Sequence, residues 1–242
     1  IVNPGLIGRI DDLRPDALLI FGWAFDSHLK VILHYHNKKQ IFFRGDSTLL
    51  DRSTFFKEQI RTVCLKWVYR HIDFALYAGR SNYEYFKKMG MKDAHLAFAP
   101  HAIDNRRFSA DDEVRTREAV DLLSDMGIRD DKLVFLFAGK LEAKKDIKTL
   151  LKAFEISGLS KSTHLLVVGN GRLEEELKNA FRKVSSIHFL DFQNQSRMPV
   201  VYRLGDMFVL PSRGPGETWG LAVNEAMACN RPVLVSDRCG CA

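Results

Sequence analysis

Glu217 and Glu225 stand with seven residues between them in the stretch GPGETWGLAVNEAMACNRPVLVSD, residues 214–237. A carboxylate can accept hydrogen bonds from two adjacent hydroxyls at once, so two of them suit a ribose diol and a sugar ring. Gly214, Pro215 and Gly216 make a flexible or sharply turned loop, and Gly220, Leu221 and Ala222 open a helix. The first N–H groups of a helix have no partner within it and attract anions. Glu217 falls in the loop and Glu225 in the first turns of the helix, so the two acids flank one anion-binding helix start. Glutamate is a common residue and spacing alone proves little. The surrounding elements have to decide.

Lys140 and Lys145, in GKLEAKKD, straddle a second strand-to-helix loop, and both can reach one diphosphate. Lys144, Lys145 and Lys148 also read as decoration of a helix start, but cations there oppose the helix dipole. A bound phosphate would remove that conflict. Gly169 and Gly171, in VVGNGR, let backbone amides approach an anion, though this is not a full dinucleotide-binding glycine motif. Phe192 and Gln193, in DFQN, form a polar strand-end loop with an aromatic, suited to a nucleobase edge or to no ligand at all. In the first half, Arg44 and Asp46, in FFRGDS, and His101, in APHAID, stand at strand ends as candidates for an acceptor side. Trp219 is read as packing that positions the Glu217 loop.

The elements that must carry these residues alternate. Strand-like runs are expected at 133–139, 164–170, 187–190, 206–212 and 232–236, with helical stripes at Ile147, Leu150, Leu151 and Phe154 and at Leu173, Leu177, Phe181 and Val184. Less regular candidates lie at 17–22, 40–45, 73–79 and 95–100. Strand–helix alternation with buried strands implies parallel, doubly wound sheets, which bind ligands at the carboxyl ends of their strands. A long helix is expected within 51–71, with Phe56, Ile60, Val63 and Trp67 facing the core and Lys57, Arg61, Lys66 and Arg70 solvated. The alternative is that this basic helix rests on a lipid surface. The charged stretch 104–131 reads as a helix-bearing connector.

This constellation resembles the family-4 retaining glycosyltransferases of the GT-B fold. The resemblance is carried by FAGKLEAKKD, VVGNGR and VLPSRGPGETWGLAVNEAMACNRPVLVSD, and covers nearly all of residues 131–242. FALYAGRSNYEYFKKMG followed by FAPHAIDNRRF resembles the family's approach to its inter-domain linker, less specifically. The resemblance implies an α/β GT-B chain, with two Rossmann-like doubly wound domains facing a cleft. The partition is then an acceptor-side domain over 1–110, a linker over 111–130 and a donor domain over 131–242. Both domains are expected to be truncated at the chain ends, the family's N-terminal glycine-rich loop lying before Ile1. It further implies that Glu217 meets the donor sugar and Glu225 the ribose. Lys140 and Lys145, with the Gly220–Ala222 amides, would take the diphosphate, and Phe192–Gln193 the base. Arg44, with Asp46 beside it, stands where the family often has a histidine, a departure from the family's pattern on the acceptor side.

The departing nucleoside diphosphate would gain charge in an oxocarbenium-like transition state. Fixed cations and a helix start stabilise it, so no metal or other cofactor is expected, and no D-x-D pair occurs in the sequence. By analogy with an oxyanion donor, losing one such contact costs roughly 2.7–4 kcal/mol. The expected partners are a nucleotide-sugar such as a UDP- or GDP-sugar and a saccharide or lipid-linked acceptor. A GT-B nucleotide-sugar epimerase and a non-catalytic nucleotide-sugar-binding fragment remain open as alternatives.

Composition bounds the rest. The 242 residues are 46% hydrophobic and 27% charged, ordinary for a folded soluble chain. The net charge of +6 sits in residues 1–110, which hold 17 Lys and Arg against 11 Asp and Glu. That excess suits a solvated surface or peripheral contact with an anionic membrane. Nucleic acid is disfavoured, because no groove-reading helix or aromatic platform accompanies the charge. Cys64, Cys229, Cys239 and Cys241 lack zinc-ligand spacing and are read as reduced thiols of a cytoplasmic protein, working at the inner face of the membrane if it meets lipid. His34 and His36 would point about 200° apart on a helix, so metal binding there is not expected.

Overall fold

The computed structural model describes residues 3–49, 55–129, 131–214 and 216–242. It divides into two compact units, residues 1–101 and 102–242.

The first unit runs α1 (Leu6–Leu13), β1 (Ala17–Phe21), α2 (Asp26–Tyr35), β2 (Gln40–Arg44), α3 (Phe55–Tyr69), β3 (Phe74–Tyr77), α4 (Arg80–Lys88) and β4 (Leu96–Phe98). The strands pair in parallel in the order β1-β2-β3-β4. Right-handed crossovers that always step the same way place the helices on one face of a sheet. Ile20, Ile41, Phe43 and Ala75 are buried on that face, while Leu19 and Phe21 on the other are 50% and 63% exposed. Buried Asn82 fastens the strand-end loops: it accepts from the Ala78 N–H and donates to the Gly45 and Ser47 carbonyls.

The second unit runs α5 (Asn105–Ser109), α6 (Asp112–Asp125), β5 (Leu133–Ala138), α7 (Ile147–Ile156), β6 (Thr163–Val168), α8 (Glu174–Phe181), β7 (Ile187–Leu190), α9 (Met198–Arg203), β8 (Met207–Leu210), α10 (Leu221–Ala228) and β9 (Val233–Val235). All five strands are parallel, in the order β7-β6-β5-β8-β9. The chain starts in the middle at β5, builds outward through β6 and β7, then returns to build the other side with β8 and β9. The reversal point lies between β5 and β8, where open parallel sheets place their ligands. Ile147, Leu151 and Phe154 of α7 and Leu177 and Phe181 of α8 are buried against the strands, as the helical period requires.

Two parts of the fold differ from the sequence reading. Segment 111–130, read as part of a helix-bearing connector, packs on the second unit through Ala119 of α6 and Ile128 beyond that helix, both buried. The cause is Arg203 on α9, whose side chain is fully buried. It donates to Asp112 at 2.6 Å and to the Phe108 and Pro199 carbonyls at 3.0 and 2.6 Å. Arg197 of the turn before α9 pairs with Glu118 as well. The charges of this stretch thus serve the second unit rather than a solvated link.

The other difference is the orientation of α3. Leu65, Val68 and Tyr69 face the core, with Tyr69 edge-on to Phe43 and Phe86. Ile60, Val63 and Trp67, expected inside, are 54%, 69% and 45% exposed. The helix has two apolar faces, and the face with aromatic partners on β2 and α4 wins. The side chains of Phe56 and Lys57 lie outside the described residues.

His164 of β6 and His188 of β7 face each other, ring nitrogens 2.9 Å apart. Burial, then the Lys132 charge, lowers the His164 imidazole below its ordinary value of 6.5. Burial, then His164, lowers His188. The unfolded chain therefore takes up protons first as pH falls, and the folded state loses stability below about 6.5 toward the lowered folded values. Urea midpoints measured between about pH 8 and 5 should fall more steeply for the native chain than for a His164→Gln/His188→Gln variant. Parallel profiles would show that the pair carries no proton linkage.

Candidate functional site

The reversal point between β5 and β8 is sewn shut by the loops that leave these strands. The first loop, 139–146, makes a tight turn over Ala143–Lys145 and enters α7 through Asp146 in left-handed conformation (φ 51°). The second, 211–220, enters α10 through Gly220, also left-handed (φ 94°). The Arg213 N–H donates to the Lys144 carbonyl at 3.0 Å, and the Arg213 guanidinium pairs with Asp146 at 2.6 Å. Asp146 thereby supplies the negative charge that the cation-rich start of α7 otherwise lacks.

Lys145 and Glu217 meet across this seam as an ion pair, with side chains only 16% and 10% exposed. The Ser212 hydroxyl, itself buried, donates to the same Glu217 oxygen at 3.1 Å. The stem of Lys145 runs past Gly139, and a side chain there would meet Lys145 Cε at 4.0 Å. Glu217 sits at the mouth of α10: a Cβ on Gly220 would lie 3.8 Å from its Oε1. The N–H groups of Leu221 and Ala222 open that helix and have no partner within it. Residues 239–241 brace the loop from behind, where Gly240 and Cys241 donate to the carbonyls of Glu217 and Trp219. Trp219 is further tied by its indole N–H to Asn224 at 2.7 Å.

Glu225, on the next turn of α10, is held at both oxygens. Buried Tyr202 of α9 donates to Oε2 at 2.6 Å, and Gln195 donates to Oε1 at 2.9 Å. Gln195 belongs to the loop after β7 that also carries Phe192, exposed, and Gln193, whose amide donates to the Asp191 carbonyl. Lys140 is exposed at the carboxyl end of β5, on the Lys145 loop.

Gly169 and Gly171 have a packing role. Both have positive φ, 133° and 155°, and a Cβ would fall 2.1 Å from the Gly139 carbonyl oxygen and 2.6 Å from that of Leu141. The loop after β6 can run against the loop after β5 only with glycine at both places. The Leu141 N–H then reaches the Asn170 carbonyl at 2.8 Å.

In the first unit Arg44 extends past β3 to donate to the Ala99 carbonyl at 2.6 Å. His101 Nε2 lies 3.1 Å from Asp46. These two contacts tie the carboxyl ends of β2 and β4 together. Among the described residues no group of three or more His, Cys, Asp or Glu is placed to hold a metal ion, and no helix is long and apolar enough to cross a membrane. A concavity of about 540 Å³ opens at the opposite, amino ends of β5 and β8, lined by Ser124, Arg129, Lys132, Asp206 and Arg231. It contains none of the sequence-predicted site residues.

Sequence reasoning did not pick out Ser212, Arg213, Gln195 or Tyr202. The first two adjoin the glycine-rich loop of the quoted stretch, so their place was visible though their partners were not. Tyr202 and Gln195 carry no local signal.

Two parallel α/β units in this order, matched by solved GT-B structures over 97% of the chain, place it in the GT-B fold class. The chain is a member of the glycosyl transferases group 1 family, whose profile matches residues 122–242. It is 30% identical over 122 residues to an uncharacterized glycosyltransferase of Methanocaldococcus jannaschii, a match covering 49% of this chain and 31% of that protein. It is 27% identical over 157 residues to an alpha-monoglucosyldiacylglycerol synthase of Acholeplasma laidlawii, covering 62% and 38%. The crystal structure of Anabaena HepE in complex with UDP superposes with a TM-score of 0.71 at 17% identity, over 97% of this chain and 64% of that one. The chain thus spans about a third of the length of these curated relatives.

The buried Lys145–Glu217 pair makes a measurable claim. Removing one member leaves the other charge uncompensated, which costs about 3–5 kcal/mol, whereas replacing both by apolar residues restores much of it. Lys145→Met and Glu217→Met should each lower the urea midpoint strongly. The double variant should lie well above the sum of the two losses. Additive losses would show that the two charges do not depend on each other.

Proposed function

We propose that this chain binds a nucleotide-diphosphate sugar at the reversal point of its second sheet and transfers the hexosyl group, with retention and without a metal, to a saccharide or lipid-linked acceptor. The observation that carries the reading is the Lys145–Glu217–Ser212 cluster beside the open N–H groups of α10. A diphosphate entering here replaces Glu217 as the partner of Lys145. Glu217 is then released toward sugar hydroxyls, and Lys140 and the Leu221 and Ala222 amides add positive potential as the leaving group gains charge. Glu225 accepts the ribose diol, and the Phe192–Gln193 loop adjoins the base. The charge available at this mouth comes from lysines and amides, which supports catalysis without a divalent ion. The UDP held by the Anabaena neighbour supports a nucleoside diphosphate ligand.

A thermal-shift screen of UDP-, GDP- and ADP-sugars in the presence of a chelator should find one series that raises the Tm. Glu225→Ala should weaken nucleotide binding more than Glu217→Ala, which should mainly lower turnover. Stabilisation that appears only on adding a divalent cation would end the lysine-and-amide account. Equal losses of affinity would end the division of labour between the two acids.

The reading extends to an anionic membrane surface as the place of work, at the cytoplasmic face. The support is the solvent-facing stripe Ile60, Val63 and Trp67 on α3, flanked by exposed Lys66 and Arg70, in the half of the chain that carries the whole basic excess. A relative named for a diacylglycerol product is consistent with a lipid acceptor. Apolar side chains sink into the interface while cations hold the phosphate layer. Flotation with phosphatidylglycerol vesicles should exceed flotation with neutral phosphatidylcholine. Lys66→Gln and Arg70→Gln should each cut it by about fivefold, from about 1 kcal/mol per cation near such a surface. Equal partition into both vesicle types, or none into either, would refute this placement.

A further inference from the structure

We propose that Tyr202 and Gln195 are positioning residues that set the Glu225 carboxylate as a receptor for a vicinal diol, an inference that rests on the ribose reading of Glu225 above. The geometry is specific. Tyr202 Oη donates to Glu225 Oε2 at 2.6 Å, and Gln195 Nε2 donates to Oε1 at 2.9 Å. Each carboxylate oxygen has two acceptor positions. One on each is taken by the protein, so each oxygen keeps one for a ligand hydroxyl.

The two donors come from different places. Tyr202 is 1% exposed and wedged between the rings of Phe108 and Phe208, at 6.1 and 5.5 Å. Its position is set by the core of the second unit. Gln195 is exposed, on the loop after β7, and its backbone carbonyl accepts from Arg107 of α5. Glu225 is therefore gripped by the rigid core on one side and by the Phe192–Gln193 loop on the other. Without those donors a glutamate on a helix surface samples several rotamers, and ordering it falls to the ligand. Burial, then the Glu225 charge, raises the Tyr202 phenol well above its ordinary value. It stays protonated and remains a donor at any physiological pH.

A buried tyrosine also needs a partner for its hydroxyl, and Glu225 would serve for that alone. The two roles separate in one experiment. The affinity of the chain for UDP is compared with that for 2′,3′-dideoxy-UDP, with the GDP pair as second probe, in native protein and in Glu225→Ala, Tyr202→Phe and Gln195→Ala variants. Native protein should favour the ribonucleotide. Glu225→Ala should abolish the preference. Tyr202→Phe, which keeps the ring in its slot, should reduce the preference by about tenfold or more, in line with loss of one hydrogen bond to a charged group. Gln195→Ala, at an exposed position that endangers folding little, should reduce it in the same direction. Binding of the dideoxy nucleotide should be unchanged in both. If Glu225→Ala abolishes the preference while Tyr202→Phe and Gln195→Ala leave it intact, the positioning role is refuted and the ribose reading survives. If Glu225→Ala leaves the preference intact, or neither nucleotide binds the native chain, the ribose reading falls and takes this inference with it.

Discussion

The second unit is organised around a charge problem. The order in which its parallel strands are added reverses between β5 and β8, and the carboxyl ends of both strands release loops into the same small space. One loop brings Lys145, the other Glu217, and neither side chain keeps much contact with water. Two opposite charges in such a place must be each other's partner, because an uncompensated one costs several kcal/mol. The pair therefore fixes the relation of the two loops, and with it the entry of α7 and α10. Arg213 repeats the link through Asp146 and the Lys144 carbonyl. A buried pair of this kind adds little net stability, so its retention calls for a reason other than stability. A polyanionic ligand supplies one. The pair holds a cation and a carboxylate apart from solvent until a stronger anion separates them.

The rest of the unit frames that seam. Gly169 and Gly171 let the loop after β6 lie against the loop after β5, where any Cβ would strike backbone oxygen. The backbone of residues 239–241 backs the Glu217 loop, and a Cβ at Gly240 would fall 1.8 Å from the Thr218 carbonyl oxygen. Arg203, its side chain fully buried, draws α5 and α6 onto α9 through Asp112 and the Phe108 carbonyl. α9 in turn carries Tyr202, which reaches Glu225. Helices that the sequence separates widely thus converge on one acid.

How much of this is legible in the chain depends on what kind of signal a feature leaves. The central strands β5 and β6 are legible because they are covered on both faces, so 133–138 and 165–168 read as unbroken apolar runs. The placement of Glu217 in a loop and Glu225 in a helix follows from Gly220, whose left-handed φ starts α10 between them. α9 is not legible: it is only six residues long and carries two β-branched valines, whose weak helical propensity tertiary burial overrides. The α3 reading inverts because the helix has two apolar faces, and only the partners Phe43 and Phe86 decide which turns inward. The charges of α6 look solvated because their counter-charges, Arg197 and Arg203, lie far along the chain. For the same reason Tyr202 and Gln195 leave no trace. A hydrogen bond between distant residues has no period and no composition.

That distinction bears on how the site would work. The features legible from sequence are those that create potential: lysines, a helix start, two acids. Potential alone attracts any phosphate, because it is set by charge and falls off slowly with distance. The features visible only in the fold set direction. Ser212 and Lys145 share one oxygen of Glu217, and Tyr202 and Gln195 take one oxygen each of Glu225. A carboxylate whose bonds are already partly spent can accept further hydroxyls only along the lone pairs that remain. Discrimination between hydroxylated ligands and bare phosphates would then arise from this second set of residues, which bring no net charge to Glu225.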